Sequence, residues 1–171
     1  MNNERTPSNI SSSSLAREDK HLITNTSASL PSTSLKASDA SNPQQIWKVR
    51  GIRGATTVTE NSAEAIRAAV TELMETIEKY NRLNPEEIVS ATFTVTRDLD
   101  AIFPAAIARK RPKWDKVALL DVQQMHVEGS LERCIRVLIH INTPHFQNEM
   151  VHVYLGQAQN LRPDWGLTQL I

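Results

Sequence analysis

Four arginines occupy positions where their neighbours make an idle cation costly. Arg53 lies between Ile52 and Gly54, Arg136 between Ile135 and Val137, Arg109 ends an alanine-rich run, and Arg162 precedes Pro163. An arginine within an apolar strand is expensive to bury unless it meets an anion. Two readings follow from the residues alone. Each arginine pairs with an acid such as Asp121 or Glu132 or faces solvent, or several converge on a small dianion or dicarboxylate. The second reading rests on geometry, since a guanidinium fork matches a carboxylate in bidentate fashion. Tyr154, Phe103, Asp121 and Gln124 are the candidate walls and hydrogen-bonding groups of such a pocket.

Other chemistries find less support. Asp121 could act as a lone general base, but nothing in its spacing demands it. The single cysteine, Cys134, has no evident activating partner, and no Ser/His/Asp order stands out. A lone cysteine forms no disulfide within its chain, which suits a reducing, cytoplasmic compartment. His21, His126, His140, His145 and His152 show no metal-ligand spacing, and no glycine-rich phosphate loop is present. The 171 residues carry 19 Lys+Arg against 19 Asp+Glu, a balance that argues against a nucleic-acid partner while leaving room for a local basic pocket. No apolar run approaches the roughly 18–20 residues that a membrane helix needs. The expectation is a soluble domain working without metal or nucleotide.

The elements that must position these residues can be read from hydrophobic period. Trp47 to Ala55 reads as a first strand carrying Arg50 and Arg53. Asn61 is an N-cap candidate with Glu64 as its reciprocal partner, opening a long amphipathic helix. Ile66, Ala69, Val70, Leu73, Met74 and Ile77 fall on one face of it. Asn84-Pro85 opens a single helical turn. Val89 to Thr96 alternates strictly, with Val89, Ala91, Phe93 and Val95 on one face and Ser90, Thr92, Thr94 and Thr96 on the other. Phe103-Pro104 opens a second short helix, Ala105 to about Lys110, stopped by Pro112.

Val117 to Asp121 reads as a strand ending on a carboxylate. Arg133 to Asn142 is another, with Ile135, Val137, Ile139 and Ile141 on one face and Cys134, Arg136, Leu138 and His140 on the other. A last extended stretch runs from Val151 to Leu161. The order strand–helix–strand–helix–strand–strand–strand predicts an α+β fold, a mixed sheet with one long and one short helix on one face. The face bearing Cys134, Leu138 and the strand-borne arginines is then wet or covered by another subunit. Its apolar content favours a closed ring of subunits. Residues 1–46, rich in Ser, Thr and Asn and aperiodic, read as a disordered tail without the apolar core of a secretory signal. Residues 47–171 form the folded unit.

Several motifs resemble one family. Arg50-Gly51-Ile52-Arg53-Gly54-Ala55-Thr56-Thr57-Val58 is similar to the N-terminal signature of the monofunctional, Bacillus-type (AroH-class) chorismate mutases. So are Asp98-Leu99-Asp100-Ala101-Ile102-Phe103-Pro104-Ala105, Cys134-Ile135-Arg136-Val137, His152-Val153-Tyr154-Leu155 and Leu161-Arg162-Pro163-Asp164, in the family's order and spacing from about Lys48 to Trp165. The resemblance implies a homotrimeric pseudo-α/β barrel with active sites between subunits. It implies the Claisen rearrangement of chorismate to prephenate, the branch step toward phenylalanine and tyrosine, with no cofactor.

It also implies roles. Arg53 matches an arginine that binds substrate carboxylate. Arg136 matches one that contacts the breaking ether oxygen. Tyr154 matches a pocket wall, and Arg162 a C-terminal arginine that helps hold substrate. Phe103, Ala105 and Arg109 match residues lent by the neighbouring subunit, and Leu120 and Leu161 complete the substrate-binding set.

The chain departs from the family's pattern at Asp121 (a cysteine there), Gln124 (a glutamate) and Ala106 (a lysine near the entrance). The expectation is that Asp121 and Gln124 join Arg136 as the catalytic set, Asp121 supplying the negative charge opposite Arg136 and Gln124 keeping the hydrogen bonding. Two alternatives are a non-catalytic paralogue and a YjgF-like trimeric small-molecule-binding or deaminase module.

Overall fold

The structure, a computed structural model, describes residues 46–165. The readings of the N-terminal stretch as a disordered tail and of its targeting capacity lie outside the described residues. Within them the elements follow the expected order: β1 (Lys48–Thr57), α1 (Ala63–Asn81), β2 (Ile88–Val95), α2 (Pro104–Ala108), β3 (Ala118–Gln123), β4 (Cys134–Thr143) and β5 (Val153–Tyr154). The strands form one mixed sheet in the order β3-β2-β4-β1-β5. Strands β1 and β2 both run antiparallel to the central β4, while β3 and β5 pair in parallel at the two edges.

The helices cover one face of this sheet. On it β4 presents Ile135, Val137, Ile139 and Ile141, β2 presents Ala91 and Phe93, and α1 lays down Ile66, Val70, Leu73, Met74 and Ile77, all buried in one cluster. Each such side chain removed from water contributes about 1.5–3 kcal/mol, so this layer is the main source of stability. Gly54 lets α1 approach β1. A Cβ there would lie 2.6 Å from Ile77 Cδ1 and 3.0 Å from Val137 Cγ1. With Gly54 turned to the helix layer, Arg53 and Ala55 must point to the other face, because strand side chains alternate.

Several expectations need correction. The N-cap of α1 is Ser62, whose hydroxyl accepts the Ala65 amide at 3.2 Å. Asn61 is committed elsewhere, accepting the Asp100 and Ala101 amides at 3.1 and 3.2 Å, and so ties the start of α1 to the segment leading into α2. Val89 is half exposed, not in the core. A bulge between Ile88 and Ser90 sets two β2 residues against one of β4, and Ile88 takes the buried position instead. Strand β3 continues past Asp121 to Gln123. The last strand is only Val153–Tyr154. Gly156, at φ 54°, turns the chain into 3-10 turns over Gly156–Leu161 and Pro163–Trp165. Cys134 is fully buried within the single chain.

Two polar ties fix the framework around the sheet. Asn81, at the end of α1, donates to the Val151 carbonyl at 2.9 Å and accepts the Val151 amide at 2.8 Å, which registers β5 against β1. Glu78 accepts from Arg111 at 3.0 and 2.6 Å and from the Trp114 indole at 2.8 Å, which clamps the segment after α2 to α1.

Candidate active site

The uncovered face of the sheet carries the cations. Register places Arg53 beside Leu138, and Arg136 between Ala55 on one neighbour and Thr94 on the other. With Gly54, Ala55, Thr92, Thr94, Val137, Leu138, Tyr154, Leu161 and Arg162 they line a cavity of about 470 Å³. That size accommodates a small ligand, and the few polar groups in it are mainly cationic. Tyr154 reaches it because β5 pairs in parallel with β1, setting Tyr154 beside Ala55 on the same face. Five of the anticipated site residues therefore meet in one place: Arg53, Arg136, Tyr154, Leu161 and Arg162.

Arg136 has the most telling environment. Its Nε is buried and has no hydrogen-bond partner among the described residues. The salt bridges proposed for it, to Asp121 or Glu132, are not formed. A guanidinium at a cavity wall with a buried, unmet Nε donor is a group held ready for an anion. Gln124, just beyond β3 and outside the cavity lining, donates its backbone N–H to the Val95 carbonyl at 2.8 Å, and its buried side-chain Oε1 has no partner among the described residues. Burial pushes the Cys134 thiol up, with the neighbouring Arg136 opposing the effect, so Cys134 stays a thiol and no nucleophile.

The C-terminal segment backs two of the lining arginines with residues that sequence reasoning missed. Trp165 lies 3.3 Å under the Arg162 guanidinium and 5.7 Å from that of Arg53. The His152 ring stacks on it at 4.1 Å, and His152 Nδ1 accepts the Arg53 amide at 3.0 Å. Burial, then the charges of Arg53 and Arg162, hold His152 below its ordinary value, so the ring is neutral and a competent acceptor near pH 7. Arg162 makes a bidentate pair with Asp164 at 2.9 and 2.7 Å. The only sequence signal for this arrangement is an aromatic residue placed directly after Arg162-Pro163-Asp164.

The remaining anticipated residues divide. Leu120 stands on the cationic face beside Thr92, more than half exposed and outside the cavity. Phe103, Ala105, Arg109 and Asp121 belong to the helix side. Asp121 pairs with Phe93, a core residue, and its Oδ1 accepts the Ala105 amide at 3.0 Å. The expectation that Asp121 opposes Arg136 therefore fails within one chain, since alternation along β3 puts the two on opposite faces of the sheet. Burial raises the Asp121 carboxyl above its ordinary value, offset by the Ala105 amide and the charge of Arg109. Ala105 is 3% exposed and has little side chain to offer a ligand in this chain. Phe103 is 71% exposed and walls a groove of about 250 Å³ with Asp121. Among the described residues the anticipated positions thus fall in two places, a cationic cavity on one face and a groove beside α2 on the other.

Residues 49–165 match the family model described as chorismate mutase type I. The chain is 40% identical over 121 residues to a chorismate mutase AroH of Bacillus subtilis, spanning 71% of this chain and 95% of that protein. It is 46% identical over 117 residues to one from Thermus thermophilus, spanning 68% of this chain and 95% of that protein. A solved chorismate mutase from Clostridium thermocellum superposes with a TM-score of 0.62 at 44% identity, covering 64% of this chain and 97% of that one. The mixed sheet, the motif-bearing arginines gathered in one cavity and a match spanning every element from β1 to Trp165 lead to one conclusion: the chain belongs to the type I chorismate mutase family.

Proposed function

We propose that the chain isomerises chorismate to prephenate at the cationic cavity, completed by the α2 groove of a neighbouring subunit in a homotrimer. The observation that carries this reading is Arg136, which lines a cavity able to take the substrate and whose buried Nε lacks a partner among the described residues. The rearrangement breaks one carbon–oxygen bond and forms one carbon–carbon bond within a single molecule, so no atom or electron enters or leaves. Negative charge grows on the departing ether oxygen. A fixed guanidinium interacts with that charge more strongly in the transition state than in the ground state, which is the condition for acceleration.

The other residues of the cavity bind and shape. Arg53 and Arg162 offer forks to the two carboxylates, and Arg162 exchanges its Asp164 partner for substrate. Tyr154, Leu161 and the threonines of β2 limit the volume, which favours the compact conformer in which the bond-forming carbons lie close. Gln124 does not line this cavity within one chain, and in the completed site its unmet Oε1 is the acceptor for the substrate hydroxyl. The α2 groove, with Phe103 exposed at its rim and no cation in its lining, suits the carbocyclic ring. Among the described residues no helix is long and apolar enough to cross a membrane, and we place the reaction in the cytoplasm, with aromatic amino-acid synthesis as its context.

The test is direct. Purified protein is incubated with chorismate while loss of substrate and appearance of prephenate are followed, and the assembly is sized by sedimentation equilibrium. Turnover by a trimer is the expected result. Saturable binding without turnover would reduce the chain to a non-catalytic paralogue, and a fully active monomer would remove the shared site.

A further inference from the structure

We infer that Asp121 is a positioning residue, which sets α2 and the Phe103 and Arg109 side chains at its two ends by accepting the Ala105 amide. The inference rests on the proposed composite site, to which α2 contributes from the neighbouring subunit.

Helix α2 needs such a hold. It is five residues long, Pro104–Ala108, far below the length at which a helix sustains itself in water. Its N-cap residue is Phe103, which has no side-chain acceptor to offer the first-turn amides. Pro104 has no amide hydrogen, and the Ala106 amide already reaches the Phe103 carbonyl at 3.1 Å. The Ala105 amide would be left without a partner in the buried first turn. Asp121 Oδ1 meets it at 3.0 Å from the middle of β3, a partner far away in sequence doing what a local cap usually does. Because β3 is fixed by its ladder to β2, the bond transfers the sheet's rigidity to α2.

Burial of the carboxylate speaks for a function beyond packing. The charged form of Asp121 is disfavoured by its surroundings, and a neutral acceptor of the same shape would satisfy the Ala105 amide without that penalty. The groups facing Asp121 are few. Arg109 supplies a positive charge from the end of α2, Asp100 and Gln123 line the same groove, and the rest of its wall is apolar.

The test compares the full chain with Asp121→Asn, which keeps the acceptor at the same place, and with Asp121→Val, which fits a buried strand and accepts nothing. The unsubstituted chain is assayed first with chorismate, so a failure of the underlying reading is seen before the variants are made. Asp121→Val is expected to raise KM about tenfold, the worth of a lost cap, with kcat changed less. Asp121→Asn is expected to rescue KM to within about threefold, the acceptor being retained. The KM profile between pH 5 and 7 should be parallel for the unsubstituted chain and Asp121→Asn, since a protonated carboxyl still accepts through its carbonyl oxygen. Equal loss in both variants, concentrated in kcat, would overturn the inference and make the charge itself a catalytic group. A Val variant with unchanged KM would overturn it as well.

Discussion

Arg136 should be a residue that the fold would be better off without. Its Nε is buried and unpartnered, and an unmet buried donor costs about 1–3 kcal/mol. Arg136→Met keeps an unbranched side chain of similar reach against Thr94 and Ala55 and removes the donor and the charge. Part of the gain is lost with the packing of the longer stem, which leaves a net stabilisation of about 1 kcal/mol. For a domain of this size that is a rise in Tm of roughly 3–6 °C. The same substitution removes the guanidinium facing the developing ether anion, and kcat should fall about 10²- to 10³-fold.

The assay pairs thermal unfolding, followed by circular dichroism, with turnover of chorismate on the same preparation. The two readouts must move in opposite directions. A variant that unfolds several degrees earlier would show that Arg136 is satisfied and structural in the native assembly. A variant retaining turnover within about threefold would show that its charge is not used in the transition state.

Two further predictions concern the framework and pH. Glu78→Ala strands the Arg111 guanidinium and the Trp114 indole, which is almost wholly buried, and should destabilise the fold by about 2–4 kcal/mol in urea unfolding, whereas Trp114→Phe removes only one of the bonds and should cost clearly less. His152 is held neutral in the fold by burial and by Arg53 and Arg162, so the unfolded chain binds protons more readily than the folded one as pH falls through about 6.5. Its contribution is present above that pH and lost below it. His152→Gln should flatten the slope of stability against pH between about 7 and 5, as read from denaturant midpoints.

Which features were legible in the sequence follows from what enforces them. Strand β4 was read with its correct faces because four β-branched residues, Ile135, Val137, Ile139 and Ile141, are buried on one side, and a period of two tolerates no slip. Helix α1 was legible for the same reason at a period near 3.6. The start of α1 was not, since Asn61 and Ser62 are adjacent and both competent to cap. What decides between them is the distant pair of amides at Asp100 and Ala101 that claims Asn61. The alternation of β2 was read one residue too far because a bulge leaves no mark in hydrophobic period.

In the site, Arg53 and Arg136 were legible as cations within strands, but their common cavity depends on the β1–β4 register, which no local pattern encodes. Asp121 stands apart from Arg136 within the chain for the complementary reason. Its face is set by pairing with Phe93, and the strand was expected to end there rather than pass through. Trp165 carried no signal beyond being an aromatic residue after Asp164, because its role comes from a turn begun at Gly156 that folds the C-terminal segment back onto His152 and Arg53.

The separation of the two half-sites carries a consequence that can be tested without a structure of the assembly. A β-sheet is a wall, and residues on its two faces cannot converge on one small molecule from within one chain. Arg136 lies on the uncovered face, and Arg109 ends a helix packed on the other. If both serve one substrate, they must come from different chains, in a head-to-tail contact that closes into a ring. Arg136→Met and Arg109→Met are then each inactive alone, because each spoils every site from one side. Mixed trimers behave differently. Where a chain with intact Arg136 meets a neighbour with intact Arg109, a whole site is rebuilt, and every mixed trimer, whichever variant is in the majority, carries about one such site in three. Co-expression of the two variants, with purification by different tags on each, should recover activity near that fraction. No recovery in a confirmed mixed trimer would place both arginines in a single-chain site, and the reading of the sheet as a partition between two halves would be wrong.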